Sequence, residues 1–230
     1  MDKTIAARTA PLTGDYFPQG DKSLSHRALL FASLAEGTSV IRRFLVGGVT
    51  RAMLRCLRQL GVDWTLDEAA HVLTVHGRGL HGFRPPAEPL DCGNSATTLR
   101  LLAGAVAAAG VPCVLTGSEG LRRRPMGRIV EPLRAMGADV DAEGDRAPLA
   151  FRPAPLHPIA YALPVASAQV KSCLLLAALA ADGPTALSEP GPSRDHTERM
   201  LASMGAAIKP LDPPAHGAVA LPLTAPLRPL

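Results

Sequence analysis

Apolar segments with helical spacing recur three times along the chain, and this repeat limits the fold more than any other feature. Each segment ends at a glycine and continues into strand-forming residues. The three glycines, Gly37, Gly110 and Gly183, are separated by 73 residues in both intervals. Chance similarity between Ala/Leu-rich helices does not explain such equal spacing. The segments themselves are 28–36, 99–109 and 170–182.

A second helix and a short strand are expected to follow in each unit. The second helices end at Gly61, Gly137 and Gly205, and glycine just beyond a helix is typical of a left-handed C-cap. Since no unit can bury its apolar helix faces alone, the three units are expected to share one core. The predicted class is α/β with approximate threefold internal symmetry. Alternating apolar runs at 72–75, 147–151 and 218–221 mark the strands.

Composition restricts the kinds of ligand. The net charge is +4 and aromatic residues make up only 3%, which favours small anionic ligands over nucleic acid. Apolar runs are interrupted before the roughly 18 to 20 residues that span a bilayer. The N-terminus lacks a secretory signal pattern, so we expect a cytoplasmic protein. The four cysteines form no paired motif, which predicts buried thiols, not metal ligands or disulfides.

The segments before the three first helices indicate an anion site. Residues 20–27 place capping residues and two basic side chains at a helix start, where unpaired N–H groups attract anions. Residues 92–98 and 166–169 are also small and polar. Threefold packing would open all three helix starts on one side. For residues 20–27 alone, an ordinary capped helix with solvated basic side chains is an equally good interpretation.

Two loops before second helices add charge to this side. At 122–126 three arginines precede Pro125, which suits a first helical turn, and we favour Arg124 as the anion ligand among them. Residues 193–198 contain two carboxylates and His196. These residue types allow an acid/base or metal role, but carboxylates near a helix start more often serve the cap and the helix dipole.

Five motifs in fixed order resemble those of the 5-enolpyruvylshikimate-3-phosphate synthase family. The resemblance runs from about residue 20 to 230 and covers about the first half of the family's usual length. It implies an α/β domain of three βαβαββ units, one half of an inside-out α/β barrel, with the active site in the cleft between two domains. The motifs are GDKSLSHR (20–27), GNSATTLR (93–100), RRPMGR (123–128), ASAQVKS (166–172) and SRDHTERM (193–200).

The resemblance also implies a division of the chain. Carboxylates and a lysine for proton transfer would lie in the second domain, so this chain is expected to bind substrate but to be inactive alone. A complementary C-terminal domain is then a candidate partner, and no nucleic acid or membrane partner is expected. The expected parts are an arm at 1–19, a substrate-binding domain at 20–227 with repeats at about 20–86, 87–155 and 156–227, and the start of a crossover at 228–230.

The implied reaction belongs to the shikimate pathway of aromatic amino acid biosynthesis. It transfers the enolpyruvyl group of phosphoenolpyruvate to the 5-hydroxyl of shikimate 3-phosphate and releases phosphate, with no metal or organic cofactor. Lys22 would be catalytic and contact both substrates. The implied ligands are Lys22, Ser23, Arg27, Ser167, Ala168, Gln169, Ser193 and Arg194 for shikimate 3-phosphate, and Lys22, Asn94, Ala96, Arg124 and Gln169 for phosphoenolpyruvate.

Two positions depart from the usual family pattern. Ala96 stands where most members have glycine, as in the glyphosate-tolerant members, and its methyl group would narrow the phosphoenolpyruvate pocket and weaken glyphosate binding. Residues 47–49 replace an acidic pair. Loss of those carboxylates is expected to loosen the loop near Asn94 or Arg100.

Two alternatives remain open at this point. A sister enzyme, the UDP-N-acetylglucosamine enolpyruvyl transferase, shares the fold, but it has Lys-Asn where this chain has Lys22 and Ser23, and it uses a loop cysteine that has no match here. The other alternative is a free-standing binding or assembly module that needs a separate C-terminal half.

Overall fold

The chain is a mixture of helices and strands in a computed structural model, which describes residues 11, 13–15, 18–212 and 215–230. The helices are α1 (Lys22–Leu34), α2 (Gly48–Gln59), α3 (Ala96–Ala109), α4 (Glu119–Arg122), α5 (Gly127–Ala135), α6 (Ala168–Ala178) and α7 (His196–Ser203). The strands are β1 (Glu36–Arg42), β2 (Asp63–Asp67), β3 (Val72–Arg78), β4 (Leu90–Asp91), β5 (Cys113–Thr116), β6 (Asp139–Glu143), β7 (Arg146–Arg152), β8 (Ala160–Ala162), β9 (Thr185–Glu189), β10 (Ile208–Pro210) and β11 (His216–Ala220).

Across the residues described, the strands form three sheets, and two of these have the same connectivity. The orders are β4-β5-β7-β6 and β8-β9-β11-β10, and each begins with a parallel pair followed by two antiparallel pairs. The remaining sheet, β1-β3-β2, is antiparallel. At its β1 edge, Leu227 forms a parallel bridge with Ala35. A segment from late in the chain therefore lies next to β1 as β4 lies next to β5.

The helices α1, α3 and α6 form the centre of the domain. Their residues are buried on nearly all sides, as expected of helices that other elements surround. In α3, 13 of 14 residues are buried. A β-carbon at Gly104 of α3 would overlap the carbonyl group of Cys173 in α6, so these two helices pack backbone against backbone.

Each central helix begins at a side-chain cap, as the sequence predicts. The Asp21 carboxylate accepts from the N–H of Leu24 at 2.8 Å. The Ser95 and Ser167 hydroxyls play the same part for α3 and α6, at 3.1 and 3.5 Å. These caps satisfy N–H groups that otherwise lack a partner in the first helical turn, and they hold the three helix starts in place.

Glycine ends each of α2, α5 and α7, which confirms the prediction for these helices. Gly61, Gly137 and Gly205 follow α2, α5 and α7 with φ of 85°, 91° and 101°. In α2 the N–H of Gly61 donates to Arg58 and that of Val62 donates to Leu57, the pattern of a Schellman motif. The other two helices end with the same pair of hydrogen bonds.

Of the three glycines predicted to end the central helices, only one directly follows its helix. Gly110 follows α3 with φ of 67°, as predicted. Gly37 instead lies within β1, because Ala35 leaves α1 directly in an extended conformation. Gly183 lies beyond the end of α6 and packs closely against Pro158, which leaves little room for a side chain.

The position predicted for Pro125 is also wrong. It was expected in the first turn of a helix, but α4 ends at Arg122 and α5 begins at Gly127, so Pro125 lies in the loop between them. All four cysteines are free and buried, as predicted. No helix in the described ranges is both long and apolar enough to cross a membrane.

The structure describes the C-terminal residues 228–230 but only part of the N-terminal arm at 1–19. Most of the expected arm at 1–19 falls on residues 1–10, 12, 16 and 17, which lie outside the described residues. Residues 228–230, expected to begin a crossover, contact this domain. The N–H of Arg228 donates to the Met204 carbonyl at 2.9 Å, and that of Leu230 donates to the Ser39 hydroxyl at 2.9 Å.

Candidate anion-binding site

The first turns of α1, α3 and α6 meet on one side of the domain. Nε2 of His26 in α1 lies 3.2 Å from the Thr98 hydroxyl in α3. The guanidinium of Arg27, one residue further along α1, donates to the Ala168 carbonyl at the start of α6 at 3.3 Å. The positive ends of the three helix dipoles therefore lie close together, and this side of the domain favours a negatively charged ligand.

An open cleft of about 770 Å³ lies at this meeting point. Seven of the eight side chains predicted for shikimate 3-phosphate line it, and the eighth, Lys22, is the exposed first residue of α1 beside Ser23. The structure therefore brings together residues that are far apart in sequence. The lining consists of Ser23, Arg27, Ser167, Ala168, Gln169, Ser193 and Arg194, together with Arg100, Ala166 and Pro192.

Arg27 is buried at the cleft and is 2% exposed. Its Nε donates to the Thr197 hydroxyl and its Nη2 to the Ser172 hydroxyl, both at 2.7 Å. Further bonds go to the carbonyl groups of Ser23 and Ala168, at 3.2 and 3.3 Å. Burial lowers the pKa of this guanidinium. Arg27 is thus a fixed positive charge that also joins α1 to α6 and α7.

Arg194 approaches the cleft from the loop after β9. Its side chain is exposed, and Nη1 donates to the Ser23 hydroxyl at 3.3 Å. This arginine has much less support from the protein than Arg27 has. It is therefore free to reorient toward a ligand, and it is the better position for a substitution that tests binding.

Three of the five residues predicted for phosphoenolpyruvate, Asn94, Ala96 and Arg124, lie at the start of α3 and in the loops beside it. Nη2 of Arg124 donates to the Asn94 amide oxygen at 3.1 Å. Ala96 is the first residue of α3 and is 9% exposed. Gln169 reaches this group from α6, since its amide nitrogen donates to the Thr97 hydroxyl at 3.1 Å.

Arg100 is a cleft residue that the predicted ligand sets did not include. It donates to the amide oxygen of Gln169 at 2.8 Å and to the carbonyl of Pro125 at 3.3 Å. Burial lowers the pKa of Arg100, and the nearby charges of Arg128 and Arg124 lower it further. Its place in the sequence gave a usable signal, because it follows Ala96 by four residues and so shares its helix face.

The carboxylate of Glu198 does not cap α7, contrary to the expectation for that segment. Its Oε1 lies 2.7 Å from Nζ of Lys171 in α6, and the same lysine pairs with Glu189 at 2.5 Å. Asp195 is the N-cap residue of α7 but makes no side-chain cap bond. Among the described residues, no cluster of three or more His, Cys, Asp or Glu side chains is arranged to hold a metal ion.

The loop at 47–49 is held without the usual acidic pair. The Thr50 hydroxyl donates to the Leu45 carbonyl at 2.7 Å and accepts from the N–H of Gly47 at 3.1 Å. The carbonyl of Val49 accepts from the Thr98 hydroxyl at 3.3 Å. The hydrogen-bond partners of this loop thus include Thr98 of α3. The loosening expected near Asn94 or Arg100 stays a prediction.

These features define an α/β domain whose central helix starts and arginines surround a cleft suited to anions. Comparison with known proteins then identifies the family. Residues 7–214 match the family described as EPSP synthase (3-phosphoshikimate 1-carboxyvinyltransferase). The chain belongs to the EPSP synthase family.

Individual relatives give the same result. The chain is 50% identical over 209 residues to a 3-phosphoshikimate 1-carboxyvinyltransferase of Acidithiobacillus ferrooxidans, a match covering 91% of this chain and 48% of the relative. A relative of the same name from Herpetosiphon aurantiacus is 48% identical over 230 residues, covering 96% of this chain and 53% of the relative. The solved EPSP synthase from Acinetobacter baumannii superimposes with a TM-score of 0.87 at 40% identity, covering 94% of this chain and 49% of that one. The chain spans about half the length of the curated relatives it matches.

Proposed function

We propose that this chain supplies the substrate-binding surface for enolpyruvyl transfer from phosphoenolpyruvate to the 5-hydroxyl of shikimate 3-phosphate, with release of phosphate. The observation that supports this most directly is the cleft, where seven side chains expected for shikimate 3-phosphate come together. Membership of the EPSP synthase family supports the same assignment. A biosynthetic step of this kind fits the cytoplasmic location expected from the sequence.

Shikimate 3-phosphate matches the chemistry of the cleft. The serine hydroxyls of Ser23, Ser167 and Ser193 offer partners for phosphate oxygens and ring hydroxyls. The start of α6 adds unpaired N–H groups and the positive end of a helix dipole. Arg27 supplies a fixed charge, and Arg194 is free to close over the ligand. We assign this ligand to the side of the cleft between α1, α6 and the loop after β9.

Phosphoenolpyruvate is assigned to the neighbouring region at the start of α3. Asn94 and Arg124 already contact each other there, and Gln169 links this region to the cleft. Lys22, at the exposed start of α1, would serve both substrates. The role of these groups is to position two anions and to stabilise charge that develops during the transfer. No metal or organic cofactor takes part in this proposal.

We further propose that residues 1–230 alone bind substrate without turning it over. The matched relatives are about twice as long, and the proton-transfer groups implied by the resemblance fall outside the aligned half. Purified chain given both substrates should release no phosphate above background. Steady phosphate release from a preparation free of any contaminating synthase would contradict this part.

We also infer that the domain is built from three internal repeats related by approximate threefold symmetry. The supporting observations are the shared order of two sheets, the bridge from Leu227 beside β1, and the three identical helix ends at Gly61, Gly137 and Gly205. Superposition of 20–86, 87–155 and 156–227 on one another tests this. Failure of the central helices to coincide would contradict it.

Calorimetric titration of the chain with shikimate 3-phosphate tests the function directly. We expect saturable binding that is tighter than binding of inorganic phosphate or UDP-N-acetylglucosamine. Arg194→Ala should weaken it by about tenfold or more, as for loss of a charged hydrogen bond. Arg55→Ala removes the same charge from an exposed position on α2 outside the cleft, and it should leave the affinity unchanged.

Each other result has a definite meaning. Equal affinity for inorganic phosphate would reduce the cleft to a general anion surface. Preference for the UDP-sugar would favour the sister enzyme. No binding by a folded chain would show that residues 1–230 do not form the site by themselves.

A further inference from the structure

A buried ion-pair network lies beneath the cleft. The ammonium of Lys171, whose side chain is 4% exposed, lies between a carboxylate oxygen of Glu189 at 2.5 Å and one of Glu198 at 2.7 Å. Burial opposes the charge on Lys171 and lowers its pKa, but the hydrogen bonds that it donates to the two carboxylates, together with their charges, outweigh burial and the net shift is upward. The three groups join α6, the end of β9 and α7.

One member of the network also contacts two residues of the cleft. Oε2 of Glu189 accepts from the backbone N–H of Ser167 at 3.1 Å, and Oε1 accepts from the Ser193 hydroxyl at 2.9 Å. Ser167 is the N-cap residue of α6, and Ser193 lies in the loop between β9 and α7. A single carboxylate therefore sets the distance between two cleft walls that belong to different parts of the chain.

The charges beneath the cleft balance. Lys171 with its two carboxylates has a net charge of −1, and the buried guanidinium of Arg27 lies nearby, bonded to Thr197 beside Glu198. Lys171 and Arg27 together offset the charges of Glu189 and Glu198, so the Glu189 carboxylate repels an anion in the cleft less than an unpaired carboxylate would.

We propose that Glu189 is a positioning residue of the cleft: held by Lys171, it fixes the Ser167 backbone and the Ser193 hydroxyl in the arrangement that receives the anionic ligand. It acts through these two serines and does not touch the ligand. The identity of the ligand rests on the proposed function, whereas the positioning itself does not.

Glu198 provides a matched control, because it pairs with the same lysine but contacts neither serine. Glu189→Gln and Glu198→Gln remove the same charge from the same buried network. If the network only stabilises the fold, the two variants should behave alike. If Glu189 positions the cleft, only Glu189→Gln should alter the environment of the Ser167 N–H and the Ser193 hydroxyl. Glu189→Asp is the second test variant, since it keeps the charge and the pairing with a cation but shortens the side chain.

Two measurements compare these variants, with thermal unfolding to verify that each chain is folded. The first is the amide resonance of Ser167 in a ¹⁵N-labelled chain, which needs no ligand. We expect it to move upfield in Glu189→Gln and Glu189→Asp, because the N–H loses a charged acceptor, and to stay in place in Glu198→Gln. The second is calorimetric titration with shikimate 3-phosphate. We expect affinity to fall about tenfold or more in both Glu189 variants and less than twofold in Glu198→Gln.

The outcomes separate the two proposals. An unchanged Ser167 resonance in the Glu189 variants, or equal losses of affinity in Glu189→Gln and Glu198→Gln, would overturn the positioning role. Absence of shikimate 3-phosphate binding in the unmodified chain would overturn the proposed function. The resonance of Ser167 would still decide in that case whether Glu189 fixes the cleft.

Discussion

Gly104 of α3 faces the backbone carbonyl of Cys173 in α6 so closely that no side chain fits between them. A β-carbon at position 104 would lie only 2.8 Å from the carbonyl carbon. The separation of these two helices is therefore set by backbone contact. Because both helices begin at the cleft, this contact also fixes the distance between two of the helix starts that form it.

Substitution Gly104→Ala should destabilise the domain by about 1–3 kcal/mol, since the two backbones must move apart. The matched control is Gly48→Ala in the first turn of α2, where a β-carbon meets no atom within 4 Å. That change should be neutral or stabilising, because alanine is the better helix former. Urea unfolding measures both. Equal stability of the two variants would show that α3 and α6 can separate without cost.

Substitution Arg100→Lys should weaken phosphoenolpyruvate binding in the presence of shikimate 3-phosphate. Arg100 reaches both Gln169 and the Pro125 carbonyl through two different nitrogens, which a single ammonium cannot reproduce. We expect a loss of about tenfold, measured by calorimetry. Arg55→Lys is the control and should have no effect. An affinity unchanged by Arg100→Lys would mean that Gln169 is held well enough by Thr97 alone.

Acid should destabilise the fold through His26. This ring is fully buried, its Nδ1 donates to the Lys22 carbonyl at 2.8 Å, and its Nε2 lies 3.2 Å from the Thr98 hydroxyl. Burial lowers the pKa of His26 from 6.5. As the pH falls below 6.5, His26 is therefore protonated in the unfolded chain before it is protonated in the folded chain. Stability from this group is present above pH 6.5 and is lost as the pH falls toward the folded pKa.

Unfolding free energies measured from neutral pH downward test this. Below pH 6.5, His26→Gln should reduce the slope of the unfolding free energy against pH by up to about 1.4 kcal/mol per pH unit. His81→Gln, at an exposed position, should leave the slope as it is. Identical slopes in His26→Gln and the unmodified chain would exclude His26 as the group responsible.

Alkaline pH should destabilise the fold through two buried thiols. Burial raises the pKa of Cys113 and that of Cys173 from 9.0 to about 12. Above pH 9 the unfolded thiols ionise while the folded ones keep their protons, so stability falls as the pH rises from 9 toward 12. Cys173→Ala should make this fall shallower by about 1.4 kcal/mol per pH unit, even though the variant is less stable throughout. A slope that does not change would contradict the assignment.

Substitution Ala96→Gly should strengthen glyphosate binding. The Ala96 methyl group lies at the buried start of α3, next to the region assigned to phosphoenolpyruvate. Its removal should widen that region. Glyphosate titrations in the presence of shikimate 3-phosphate measure the effect. They are done with a second polypeptide added that corresponds to the half of the relatives this chain does not cover. Ala108→Gly makes the same change at the far end of α3 and should not alter glyphosate affinity. Equal affinities in both variants would show that position 96 does not limit this ligand.

Local features of the domain could be predicted from sequence because they depend on neighbouring residues. Asp21, Ser95 and Ser167 cap helices through an N–H three positions away, and glycine ends α2, α5 and α7 through bonds within one turn. The errors at Gly37 and Gly183 arise because the backbone conformation at these two positions depends on the segment after the helix, not on the helix itself. The prediction for Pro125 is wrong for a similar reason: the short helix α4 ends at Arg122 and α5 begins only at Gly127, so Pro125 lies between the two helices.

The supporting parts of the site could not be predicted in the same way. Lys171, Glu189 and Glu198 lie on three elements, and only the packing of α6 against β9 and α7 brings them together. The segment containing Glu198 gave a misleading signal, since a carboxylate in a first helical turn usually interacts with its own helix. The helix face of Arg100 could be predicted from its spacing to Ala96, but its bond to Gln169 could not, because that partner is 69 positions away.

The bridge between Leu227 and Ala35 has a consequence for synthesis on the ribosome. The N–H of Glu36 donates to the Leu227 carbonyl, and the Leu230 N–H reaches Ser39, which lies 191 positions earlier. The edge of the first sheet therefore stays uncovered while nearly all of the domain is being translated. At a translation rate of roughly 5 to 20 residues per second, Leu227 is synthesised up to tens of seconds after this edge. During this interval the nascent chain exposes a strand edge that a chaperone or another nascent chain can pair with.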